Sequence, residues 1–136
     1  MTDEKKMNIL VGYNDTQVAK SALSLARDHA LAFGARVFIM TSMEGGASES
    51  LKEIEQAEKS LKAAEAFMKE KGVECEIHQL ARGLSPGEDL VRFAGDNAID
   101  LIFVGVQKKS RTQKIILGST AQFIILKAPC PVTTVK

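Results

Sequence analysis

Two stretches of the chain combine small residues, hydroxyls and charge in patterns that could hold an anion. The first is Gly12-Tyr13-Asn14-Asp15-Thr16, directly after a short apolar run. The second runs from Gly105 to Thr120 and carries Lys108, Lys109, Arg111 and Lys114, four basic residues among the seven from 108 to 114. It closes on Gly118-Ser119-Thr120 at the start of an apolar helical pattern. Exposed N–H groups, small hydroxyls and the positive end of a helix dipole together favour a phosphate or carboxylate there. The same three residues also read as a plain helix cap, and the spacing alone leaves both readings open. The pattern is not a Walker loop, because no Lys follows Gly118, and no G-x-G-x-x-G follows the first apolar run.

The remaining reactive residue types are scattered. His29 and His78 are remote in sequence, and Cys75 and Cys130 form neither a C-x-x-C pair nor a disulfide framework. Both cysteines are expected to be small buried residues, and His78, on the polar phase of its segment, an exposed one. No metal site is expected. Hydrolysis needs a positioned water and charge stabilisation in line with the leaving group. Asp15 and Glu44 are the acids within reach of the two loops, with no assignable role, so an enzyme is not expected beyond slow ATP hydrolysis.

Elements that could position these loops follow from composition and periodicity. The chain has 136 residues, 45% of them hydrophobic, with a formal net charge of +1. That length fits a single domain, residues 1–136, with a real core. The balanced charge argues against wrapping nucleic acid or coating a membrane, and 5% aromatics without Trp argue against a base-stacking platform. The charged start Met1-Thr2-Asp3-Glu4-Lys5-Lys6 has no apolar core of a signal peptide, and no apolar run is long enough to span a bilayer. A cytoplasmic location is the expectation.

Short apolar runs alternate with helical stripes. Asn8–Gly12, Arg36–Thr41 and Asp100–Gly105 read as buried strands, Val73–Leu80 as a half-exposed edge strand, and Pro131–Val135 as the last strand. Ala19, Ala22, Leu23, Ala26, Ala30 and Phe33 mark the buried face of a first helix, ended by Gly34, with Asp15 as its cap. Leu51, Ile54, Ala57, Leu61, Ala64 and Met68 mark a second, with Glu55–Lys59, Glu58–Lys62 and Glu65–Lys69 on its solvent side. Ser85-Pro86-Gly87-Glu88 is a capping-box start for a third, with Leu90, Val91, Ala94 and Ala98 buried. Ser119 and Gln122 are a second capping-box candidate, before a helix that Pro129 ends. The order β-α-β-α-β-α-β-α-β predicts an α/β fold, an open five-stranded parallel sheet with helices on both faces, Rossmann-like. Ligands bind such a sheet at the carboxyl ends of its strands, where both loops lie.

Three stretches make the chain resemble the universal stress protein family, over nearly its whole length. They are Asn8 to Thr16, Ser85–Glu88 through Gly105, and Gly118-Ser119 followed by Ala128-Pro129-Cys130-Pro131-Val132. The resemblance implies an adenine nucleotide alpha hydrolase-like sheet. Nucleotide-binding members carry G-2x-G-9x-G-[ST] after the fourth strand. Gly105, Lys108 and Gly118-Ser119 match that spacing, with Lys108 in place of the second Gly. Asn14 stands where the family usually has Asp, and Asp15 where it has Gly; Thr16 keeps the hydroxyl. Lys108 restricts the backbone yet brings a cation that could pair with a phosphate. Asn14 keeps a carbonyl acceptor for a ribose hydroxyl or amino group, or bonds its own turn.

What the resemblance implies is a small adenine-nucleotide-binding module of the stress response. Its cofactor is ATP or another adenine nucleotide, with or without Mg²⁺. Gly105, Gly118, Ser119 and Thr120 would hold phosphate and ribose, with Lys108 beside them. Gly12, Asn14 and Thr16 would face the adenosine, and backbone at Thr41 and Ser42 would line the base pocket. The chain is expected to form a homodimer through the C-terminal strand, Pro131 to Val135, and to bind neither nucleic acid nor membrane. The alternative is a family member that has lost the nucleotide and acts as a dimeric interaction protein.

Overall fold

A computed structural model describes residues 6–45, 50–107 and 117–136. The elements run β1 (Asn8–Gly12), α1 (Gln17–Phe33), β2 (Arg36–Ser42), α2 (Leu51–Lys69), β3 (Cys75–Leu80), α3 (Pro86–Asp96), β4 (Leu101–Gly105), α4 (Ser119–Lys127) and β5 (Val132–Val135). All strands are parallel, in the order β3-β2-β1-β4-β5. Val11 pairs with Ile39 on one side and Phe103 on the other, so Gly12, at the end of β1, lies level with Met40 and Val104.

Alternation along the strands divides the interior in two. Ile9, Val11, Val37, Ile39 and Phe103 face α1 and α2, where Ala22, Ala26, Leu61, Ala64 and Met68 meet them. Leu10, Phe38, Met40, Ile102 and Val104 face α3 and α4, against Leu90, Phe93, Ala94 and Ile124. Helices therefore cover both faces. The sequence order reverses between β1 and β4, whose loops part to opposite faces, and this is where an open parallel sheet leaves a crevice.

The helix starts are set by local side-chain bonds. Thr16, not Asp15, caps α1: its hydroxyl accepts from the Ala19 N–H at 3.2 Å. Asp15 instead reaches Lys20 Nζ at 3.9 Å and accepts from the Ser60 hydroxyl at 3.4 Å. Gly34 ends α1 in the left-handed region, φ 64°, which glycine adopts without strain. Ser85 caps α3, accepting from the Glu88 N–H and donating to the Glu88 carboxylate at 2.8 Å. For α4 the cap is Gly118, with no side-chain bond, and Ser119 is the first helical residue. Gln122 still reaches back, donating to the Leu117 carbonyl at 2.8 Å.

Several expected core positions lie outside. Phe33 is 63% exposed; in the last turn of α1 it packs beside His29, level with the strand starts rather than over the sheet. Leu51 and Ile54 are exposed while Leu61, Ala64 and Met68 are buried, so α2 meets the sheet only over its later turns. Ala98 lies past the end of α3 with a positive φ of 51° and is exposed. His78 is half-buried, stacked near Phe38 and edge-on to Phe93 at 4.9 Å, so the edge strand's polar phase is covered by α3 at this point. Cys75 and Cys130 are free and only half-buried. Burial, with the Glu65 carboxylate adding, pushes the Cys75 thiol up to about 11. Burial raises Cys130 too. At the start of β3, Lys6 and then Arg36 hold the Glu74 carboxyl below its ordinary value.

Candidate functional site

Between the β1 and β4 ends lies a cavity of about 350 Å³, within the size range of small-molecule sites. Its β1–β2 side is built from Gly12, Asn14, Thr16, Thr41 and Ser42, and its far side from Gly105, Gly118, Ser119 and Thr120. Nine of the ten residues singled out in the sequence thus surround one space. The tenth, Lys108, lies outside the described residues, with the rest of the basic stretch up to Lys114. Leu90, Val104 and Ile124 supply an apolar floor between the two sides.

Hydrogen bonds fix the turn after β1. The Tyr13 N–H donates to the Met40 carbonyl at 2.9 Å, so the chain leaves β1 still joined to β2. The Thr16 N–H and hydroxyl both donate to Asn14 Oδ1, at 3.2 and 2.6 Å. The Asn14 carbonyl is therefore spent on its own turn. Of the two readings the sequence left open, the structure has the turn-forming one, and what Asn14 can offer a ligand is the amide N–H₂, a donor. Burial, and then the Asp15 charge, push the Tyr13 hydroxyl up, with Ser60 opposing; it is neutral at physiological pH. Asp15 does not line the cavity, so its charge is not aimed into it.

The hydroxyls on this side share a polarity. Thr16 has given its proton to Asn14. Thr41 donates to the Tyr13 carbonyl at 2.9 Å. Ser42 donates to Asp89 Oδ2 at 2.7 Å. Each keeps lone pairs and has no proton left for a ligand. The far side has the opposite character. There the cap of α4 is a glycine without a side-chain bond, no side chain among the described residues caps its first N–H groups, and Ser119 and Thr120 are exposed beside them. Free N–H groups and the helix dipole attract negative charge. The cavity therefore presents hydroxyl acceptors, with the Asn14 amide as a donor among them, at one end and backbone donors at the other.

Asp89 was not legible as part of this site. It is fully buried and accepts from Arg82 Nε at 2.7 Å, with the Arg82 Nη2 group also against it. As an acid in the first turn of α3 it reads as complementing the helix dipole. The signal that separates it from Glu88 is position, since it stands beside Leu90 and four residues before Phe93, on the apolar face. A charge on that face must be paired.

Gly105 carries a packing constraint of its own. A Cβ there would lie 2.7 Å from the Ala19 nitrogen and closer still to the Val18 carbonyl. The first turn of α1 rests directly on the end of β4, which only a glycine permits.

Comparison with known proteins gives one consistent result. A sequence model of the Universal stress protein family matches residues 6–136. A universal stress protein of Thermus aquaticus is 32% identical, over 94% of this chain and 97% of that protein. A universal stress protein structure from Archaeoglobus fulgidus superposes with a TM-score of 0.85 at 33% identity, covering 96% of this chain and 93% of the other. A further structure, the universal stress protein from Archaeoglobus fulgidus in complex with dAMP, has a TM-score of 0.81 at 28% identity and covers 97% of this chain and 98% of that one.

Proposed function

Because the chain belongs to the universal stress protein family, we propose that it is a small adenine-nucleotide-binding module acting as a homodimer in a stress response. The observation that carries the reading is the polarised cavity at the switch between β1 and β4. A nucleoside brings hydroxyl and amino donors, and its phosphates bring acceptors, which is the complement of the two ends. The related structure described with dAMP supports the ligand class.

The residues fit the group in kind. Gly118, Ser119 and Thr120 would meet the phosphates with the free N–H groups of α4. Thr16, Thr41 and Ser42 would accept from the nucleoside, and Asn14 would donate to it. Gly12 and Gly105 would face the ligand with backbone at the strand ends, where Gly12 lets Leu90 and Gly105 lets α1 pack close. Lys108 would add a cation near the phosphates. Among the described residues no group of three or more His, Cys, Asp or Glu comes together to hold a metal, so Mg²⁺ would arrive coordinated by the nucleotide's phosphates. Bound nucleotide supplies charge and shape to the fold. The chain's own residues bind and orient it.

A second reading rests on Asn14. With its carbonyl tied to Thr16, the site lacks the acidic acceptor usual in the family, and the chain would then act as a dimeric interaction protein without a nucleotide. Thermal denaturation with ATP or AMP and Mg²⁺ separates the two. A ligand at about 100 times its Kd stabilises by about 2.7 kcal/mol, several degrees in Tm, and release of a nucleotide from denatured protein should be visible by mass spectrometry. No shift at millimolar nucleotide and no released ligand would leave the second reading.

A further inference from the structure

Ser42 lines the cavity at the end of β2, and its hydroxyl is tied from behind to a charged group. Asp89 receives Arg82 on Oδ1 and Ser42 on Oδ2, and the carboxylate is fully buried. An ion-paired carboxylate accepts and does not donate. The proton between Ser42 and Asp89 therefore belongs to Ser42, and the bond fixes which way it points. Turning that proton toward a ligand would strip a buried charge of a partner, a larger loss than one ligand bond restores.

We propose that Ser42, with its proton held by Asp89, makes this site prefer a purine bearing an exocyclic amino group over the oxo purine of the same size. Ser42 is then a specificity residue, and Asp89 a positioning residue that acts through it. The proposal rests on the nucleotide-binding reading above. An amino group can donate to the Ser42 lone pair. A carbonyl brought to the same place meets a second acceptor and loses its water without a replacement. Neither the Thr41 hydroxyl, given to the Tyr13 carbonyl, nor the Met43 N–H, given to the Leu80 carbonyl, can meet that oxo group.

Calorimetric titration of ATP and ITP tests this in the wild type and in Ser42→Ala, Ser42→Thr and Asp89→Asn. The wild type should bind ATP more tightly than ITP. Ser42→Ala should narrow the ratio roughly fivefold, the worth of one neutral hydrogen bond, mainly by weakening ATP. Ser42→Thr, which keeps the hydroxyl, should retain the preference. In Asp89→Asn the new amide can donate to Ser42, which frees the Ser42 proton, so ITP should gain relative to ATP. The Ser42 variants carry the test if Asp89→Asn does not fold. Binding of both nucleotides with no wild-type preference, or with the same ratio in Ser42→Ala, would overturn the proposal and leave the nucleotide reading intact. Binding of neither by the wild type would overturn the nucleotide reading itself.

Discussion

Gly105 illustrates how two requirements can share one residue. The family motif gives it a role beneath a phosphate, but the apposition of β4 against Val18 and Ala19 requires glycine with no ligand present. Because the obstructing atoms are backbone, no side chain can swing away. Gly105→Ala should therefore lower stability of the free protein by roughly 1–3 kcal/mol, the scale of overpacking, seen as a lower midpoint in urea. An unchanged midpoint would show that α1 can lift off the strand at little cost. At this scale nine of the ten residues singled out in the sequence line the cavity, while their hydrogen-bond sense was left open. Asn14 could be read as acceptor or turn-former, and only the bonds from Thr16 decide it. Asp89 gives only its place on the apolar face of α3, because the partner that lets its charge be buried, Arg82, is seven residues away on a loop that has no periodicity to read.

The elements were more legible than their ends. Strand order cannot be read from periodicity, yet the nine elements can, since each buried stripe and each cap signal is local. What failed is the assumption that a stripe is buried along its full length. In α2 the apolar positions continue from Leu51 to Met68, but contact with the core begins only at Leu61 among the large aliphatic positions. The same substitution type should then have opposite consequences along one helix. Leu51→Ala should change stability by no more than about 0.5 kcal/mol, as an exposed site does. Leu61→Ala should cost about 2–5 kcal/mol through cavity formation. Chemical denaturation of both variants checks the pair, and equal losses would mean that the first turns of α2 are covered in solution.

For the molecule as a whole, the proposed assembly turns on the last strand. Ile102 donates to the Pro131 carbonyl and Val106 to the Val135 carbonyl. In a parallel ladder the residues between, Val132 and Thr134, then direct their backbone groups away from β4. A second copy pairing there would use the Thr134 N–H. Thr134→Pro removes that donor while sparing the β4 ladder, and proline is tolerated on an edge. Sedimentation should show a dimer for the wild type and a monomer for Thr134→Pro at similar stability. A dimer that survives would place the contact elsewhere, for example on the exposed Ile125 and Leu126 of α4.

The two borders of the sheet differ in character. β3 carries Glu76 and His78, follows the ion-paired Glu74, and has Gln79 bound to the Ile54 carbonyl of α2. β5 reads Val-Thr-Thr-Val, with no charge. A sheet equally receptive on both borders would add copies without limit, and charge on a border is a common way to stop this. A dimer formed through β5, as proposed, would leave only the charged β3 borders facing outward, so edge-to-edge growth would stop after a single addition and the asymmetry of the sheet would guard the protein against fibre formation.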